Sequence, residues 1–290
     1  MVESIHYFDE PPVITADDTV AQLCSSSNRS AFPCRRSFVR LYDHDGGIDQ
    51  PGPLAKMIRA RDRTGLVLYS LLLTKVSGGD APTVALPSQT WARALGMDLP
   101  DTATARSTVS KALGRLSGDN YRLIEKGRRG RWAEITLLNE SGDGTPYSRP
   151  KGKSAADTFF NIPHALWLDR PSGHHEPWYR VLTLPGLAVL FMLHWYKDPW
   201  ELPQVEGSQR FGTSADTIGR GLKELKELGA ISGHVSYREE LKSPTGWAKV
   251  IRYERLAPFD QLTRATPRSS PKAKRKGKTV KRSPKLSEEV

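Results

Sequence analysis

Two stretches of this chain carry a helix-length apolar stripe that runs directly into an alternating hairpin. Over residues 102–116, Ala105, Val109, Ala112, Leu113 and Leu116 fall at i, i+4, i+7, i+8 and i+11, one face of an α-helix. Residues 122–126 and 132–138 then alternate around a glycine-bounded tip at 127–131, as a β-hairpin does. In the second stretch Ala215, Ile218, Leu222, Leu225 and Leu228 form the stripe and Gly229 stops it. Residues 231–237 and 247–255 make a second hairpin, with a loop at 242–246. The approach to each stripe is also alike. Residues 54–75 read as one helix with Leu66, Tyr69, Leu72 and Leu73 on one face. Ser88 reads as the N-cap of a short helix over 89–95, ended by Gly96 as an αL cap, and Asp101 or Thr102 caps the striped helix. In the second copy an apolar helix over 186–196 precedes a short helix within 202–211, a turn at Gly212 and a cap at Thr213 or Ser214. The order helix, short helix, turn, helix, hairpin occurs twice, with little sequence identity between the copies.

A length of 290 residues suits about two domains. The expected organisation is α+β with five segments. Residues 1–53 form a partly disordered N-terminal segment, docked through the apolar patch Phe38-Val39-Arg40-Leu41-Tyr42. Residues 54–139 form the first unit. Residues 140–157, rich in Gly, Ser, Pro and charge, form a linker. Residues 158–258 form the second unit. Residues 259–290 form a basic tail, with too little apolar surface to offset the entropy of ordering.

The net charge of +11 points to a polyanion, but it is unevenly placed. From residue 264 onward ten Lys/Arg and two Glu give +8, leaving only +3 for the body. A case for nucleic acid therefore rests on where the body's charges fall. The outward side of 102–116 carries Thr104, Arg106, Ser107, Thr108, Ser110, Lys111 and Arg115, and no acidic residue occurs between Thr102 and Leu116. Such side chains bond phosphate oxygens or base edges, with Arg favouring guanine. The alternative is an ordinary solvated face, which would usually hold Glu among its Lys. Ser88 joins the list at the start of the short helix. The first hairpin tip gathers Lys126, Arg128, Arg129 and Arg131, whose mutual repulsion a polyanion would relieve. The second striped helix offers Ser214, Thr217, Arg220 and Lys223 beside Asp216. Gly219 and Gly221 within it each cost about 1 kcal/mol against Ala, which implies close approach of another helix or of a sugar-phosphate backbone. The second hairpin mixes Arg238, Lys242 and Lys249 with Glu239 and Glu240. The tail would neutralise phosphates without reading sequence, or serve as a localisation signal or solvating terminus.

Residues 211–231, F-G-T-S-A-D-T-I-G-R-G-L-K-E-L-K-E-L-G-A-I, resemble the turn, recognition helix and first wing strand of bacterial winged-helix regulators. S-T-V-S-K-A-L at 107–113 with L-I-E-K-G-R-R-G-R at 123–131 is similar. The tandem arrangement also resembles plasmid replication initiators, in architecture only. The resemblance implies two winged helix-turn-helix domains in tandem that bind double-stranded DNA. In that fold the N-terminal part of the recognition helix enters the major groove and the wing reaches a minor groove or flanking phosphates. A transcription regulator is the first expectation. A replication initiator binding origin repeats is the second, and a winged-helix structural or assembly protein the third. The second unit would read an adjacent half-site, or supply a homodimer or protein-partner surface, since its apolar first helix needs a cover.

Enzymatic readings lack their motifs, and no enzyme, cofactor or metal is expected. No G-x-x-x-x-G-K-[ST] or G-x-S-x-G stretch occurs, and no tyrosine and histidine cluster marks a nicking site. His174-His175-Glu176 lies in a Pro/Gly loop without partner ligands. Cys24 and Cys34 form no C-x-x-C pair and read as reduced thiols. Trp167, Trp178, Trp195 and Trp200 could stack bases, but their apolar neighbours favour core packing. No run of about 18 apolar residues suggests a membrane span. Residues 1–10 lack the basic start and apolar core of a signal peptide, so a cytoplasmic, nucleoid-associated protein is expected.

Overall fold

A computed structural model describes residues 13–26, 29–41, 50–76, 82–97 and 102–260. Helix α1 (Ala16–Ser25) starts in a capping box, where the Thr15 hydroxyl accepts from the Asp18 amide and the Asp18 carboxylate accepts from the Thr15 amide. Strand β1 (Ala31–Arg35) leads through a 3-10 turn to β2 (Arg40–Leu41), which pairs with β3 (Gln50–Pro51). The single helix expected over 54–75 is two, α2 (Pro53–Arg59) and α3 (Arg63–Val76). The break is local: Arg61 adopts φ +53, and Asp62 then turns its carboxylate onto the Gly65 amide at 2.8 Å to start α3.

The first unit continues through β4 (Thr83–Ala85), α4 (Ser88–Ala94), α5 (Thr102–Ser117), β5 (Ile124–Arg129) and β6 (Trp132–Leu137). Ser88 is not a cap: Pro87 holds the N-cap position and Ser88 is the first helical residue. Gly96 takes φ +71, as its reading as an αL cap requires. Asp101 lies outside the described residues. All five residues of the α5 stripe are buried. After β7 (Phe159–Pro163) come α6 (Ala165–Leu168), α7 (Trp178–Val181), α8 (Leu184–Trp195), β8 (Trp200–Glu201), α9 (Gln204–Phe211), α10 (Ala215–Glu227), β9 (Ile231–Glu239) and β10 (Trp247–Arg255). All the sheets among the described residues are small and antiparallel, so the class is α+β.

The two units share one topology. In each, a buried helix, a short strand, two helices and a hairpin follow in order. In each, the short strand pairs with the second hairpin strand, giving orders β4-β6-β5 and β8-β10-β9. The turn between α9 and α10 needs Gly212, at φ +61, because a side chain there would also strike Pro51.

The stretch over 140–157 is not a free linker. Glu140 is wholly buried and accepts from Arg35 Nη1 at 2.5 Å, while Arg35 Nη2 donates to the Ser148 carbonyl at 2.6 Å and to Asp157 at 3.0 Å. Glu140 and Asp157 thus face inward onto β1, while Asp143, Lys151 and Lys153 are exposed. The N-terminal segment is likewise built in where described. Strand β1 pairs with β7, and Val20, Leu23, Phe32, Phe38 and Val39 enter the same continuous apolar core as both units. Tyr42 of the expected patch and residues 261–290 of the basic tail lie outside the described residues. The core extends to Phe259, whose ring meets Trp178 edge-on at 5.0 Å. Trp167, Trp178 and Trp200 are buried, and Trp195 is partly so.

Helix α8 is buried without interruption from Gly186 to His194, and its cover comes from this same chain, through α10, β7 and α2. Gly221 of α10 is the close approach. A Cβ there would lie 2.5 Å from the Pro185 carbonyl oxygen and from Val189 Cγ2. Its neighbour is another helix, the first of the two reasons the sequence offered. Gly221→Ala should therefore cost about 1–3 kcal/mol in denaturant unfolding. Gly114 on the exposed side of α5 has nothing within 4 Å of a Cβ. Gly114→Ala should instead stabilise by about 0.5–1 kcal/mol, and the same sign for both changes would contradict this packing.

Candidate nucleic-acid interface

Helix α5 presents Thr104, Arg106, Ser107, Ser110 and Lys111 to solvent, and Thr108 is half-buried. Arg106 Nε folds back on the Thr102 carbonyl at 3.0 Å, and Thr108 Oγ1 donates to the Thr104 carbonyl at 2.9 Å. Ser88 is half-buried at the start of α4. Arg115 is exposed like the others, but its guanidinium is already engaged. It binds the Asp62 carboxylate through two hydrogen bonds, 2.7 Å from Nε and 2.6 Å from Nη2, and so ties α5 to the start of α3. Burial works against the charge on Asp62, but the bonds from Arg115 and the Gly65 amide outweigh it. Its pKa lies below the usual carboxylate value.

The first hairpin is tighter than its sequence implied. The strands run on to the pair Arg129–Trp132, leaving only Gly130 and Arg131 at the tip, with Gly130 at φ +61. Register then divides the cations. Lys126 opposite Ile135 and Arg128 opposite Ala133 share the face whose inner end is the buried pair Ile124–Leu137. Arg129 lies on the other face with Glu125, Glu134 and Trp132. Arg131 at the tip stands over the Trp132 ring, 5.7 Å from its centroid. Trp132 is 38% exposed and was absent from the sequence-derived set. The available signal was a tryptophan one residue from a hairpin tip, among arginines.

The second unit is less open. Ser214 caps α10, accepting from the Thr217 amide at 3.1 Å. Thr217 is buried, and its hydroxyl lies 2.8 Å from that of Ser214, so it does not point outward as expected. Arg220 pairs with Asp216 at 2.9 Å and Lys223 approaches Glu227 at 3.9 Å, both one turn away on an exposed face. Arg238 of β9 lies 3.3 Å from Glu201 and 3.6 Å from Glu240. The second hairpin instead exposes Val235, Tyr237, Trp247 and Ile251, which register places on one face. In sequence these residues look no different from core strand residues.

Elsewhere, His174 and His175 are exposed, and Glu176 pairs with Arg180. No group of three His, Cys, Asp or Glu that could hold a metal occurs among the described residues. No helix among them is long and apolar enough to cross a membrane. Cys24 and Cys34 are buried, and burial pushes the Cys34 thiol pKa well up. No protein-family model matches this chain, and no curated protein matches it.

Asp62→Asn should lower stability by about 1–3 kcal/mol near neutral pH. Because the folded pKa is depressed, the ionised contribution is complete above the unfolded value of about 3.9 and is lost as pH falls through the folded one. Thermal melts of both proteins from neutral to acid pH should show the gap closing below about pH 4. A gap that does not change with pH would remove the charge on Asp62 from this account.

Proposed function

We propose that this chain binds double-stranded DNA through two winged helix-turn-helix units in tandem and acts as a transcription regulator. The observation that carries the reading is the repeated topology: twice, a helix with a buried stripe follows a short helix and a turn, then meets a hairpin whose second strand pairs with a short upstream strand. The charge pattern supports α5 and its hairpin as the main contact. The outward side chains of α5 include no acid, and Lys126 and Arg128 occupy the hairpin face that continues from the core. Thr104, Arg106, Ser107, Ser110 and Lys111 are the base-edge and phosphate candidates, with Arg131 and Trp132 at the wing tip. Ser88 at the start of α4 and Thr108 are the candidates for backbone contacts in this reading. In the second unit the cations of α10 have carboxylate neighbours, so Arg220 and Lys223 contribute less. Ser214 serves as a cap.

Selection of duplexes from a random pool at about 150 mM salt, where phosphate contacts are weakened, should recover a motif. A motif beside the protein's own gene would fit regulation, whereas tandem copies at a replication origin would fit an initiator. Absence of enrichment would sink sequence-specific binding. On the recovered duplex, Lys126→Ala with Arg128→Ala should weaken binding by about tenfold or more and lower the slope of log K against log salt by about 1.8, as loss of two phosphate contacts requires. Arg220→Ala should change affinity by less than about threefold, as befits a cation already paired on an exposed face.

A further inference from the structure

A cavity of about 530 Å³ lies between the end of the first unit and the loop that returns to β7. That volume falls within the range of small-molecule sites. Its walls carry three cations, Arg35, Arg149 and Lys151, against one carboxylate, Asp157. A second carboxylate, Glu140, is engaged by the Arg35 backbone amide and Nη1.

The hydrogen bonds already made there leave a wall of donors. Asp157 is occupied: Oδ1 accepts from Arg35 at 3.0 Å, and Oδ2 accepts from the Lys151 and Lys153 amides at 2.8 and 3.5 Å. Ser148 Oγ accepts from Arg35 Nη2 at 3.0 Å, which leaves its proton to give. Asn139 Oδ1 accepts from the Ser141 amide at 3.1 Å, which leaves its NH2 to give. The Nη2 of Arg149 is buried and has no hydrogen-bond partner. A buried guanidinium nitrogen without an acceptor is costly, and Arg149 adds its positive charge to the cavity wall. Unfilled donors and net positive charge select an oxyanion, and the planar Arg fork suits phosphate.

We propose that this cavity binds a phosphate group. The proposal is independent of the winged-helix reading, because none of these residues belongs to α5, α10 or either hairpin. Two sources share the chemistry, a free phosphate ester and a phosphate of the DNA backbone.

The test is calorimetric titration of the full chain with inorganic pyrophosphate, against sodium chloride of equal ionic strength. Saturable binding is expected. Arg149→Ala and Lys151→Ala should each weaken it by about tenfold. Lys151 is exposed, so its variant serves even if loss of Arg149 disturbs folding. No saturable heat at millimolar pyrophosphate, or equal binding by the parent and the Lys151→Ala protein, would overturn the proposal. The second outcome would assign the anion to the basic tail instead. Duplex affinity measured with pyrophosphate saturating then separates the sources. A fall identifies a backbone phosphate as the natural occupant, and no change identifies a free phosphate ester.

Discussion

A helix without a polar face can exist in water only when every side of it is covered, and α8 imposes that condition on the rest of this chain. Nine consecutive residues, Gly186 to His194, are buried. Helix α10 covers one side, at a distance set by Gly221, and β7 and α2 cover others. Because α2 opens the first unit and β7 pairs with β1, covering α8 draws the N-terminal segment and the first unit around the second. Helix α3, buried over most of its length, plays the matching part in the first unit. Polar clamps then fix the contact. Arg59 donates to the Gly212 carbonyl at 2.8 and 3.1 Å, and Arg63 donates to the carbonyls of Tyr179 and Leu182 at 2.6 and 3.1 Å.

Ion pairs in this protein divide by environment, and the division bears on function. Arg35 with Glu140, and Arg255 with Asp198, lie in the interior or at its margin and join segments far apart in sequence. Removing one partner there strands the other in a poor solvent for charge. The pairs along α10 are exposed and one turn apart, where each contributes little. Apart from Arg115, which Asp62 holds, the cations on α5 and the first hairpin differ from both: the hairpin cations lie opposite apolar residues, and α5 itself carries no carboxylate. This contrast between the two units, rather than total charge, is what favours the first as the stronger contact in the proposed DNA-binding reading.

The local elements were legible in the sequence. The α5 stripe, the stop at Gly96, the turn at Gly212 and both hairpins follow from periodicity and from glycine's access to positive φ, which depend on neighbours within a few positions. What could not be read depends on distant partners. Arg115 looks like any outward arginine until Asp62, 53 positions earlier, meets it across two helices. Thr217 looks like a surface hydroxyl until the Ser214 cap draws it inward. The stretch over 140–157 has a linker's composition, yet its Glu140 is held by an arginine 105 positions away. The division of cations between the hairpin faces required the register, which a shift of one residue would have inverted. No pattern in the sequence announced the cavity behind Arg149.

The shared core also governs how this molecule comes apart. Two units joined by a solvated tether would melt separately, and a protease cutting the tether would release each intact. Here α2 and β7 wrap the second unit's central helix, and the intervening segment is pinned by a buried charge. Opening either unit exposes apolar surface of the other. The chain is therefore built to lose its structure in one cooperative step, and neither half is an autonomous piece that could be excised and expected to fold.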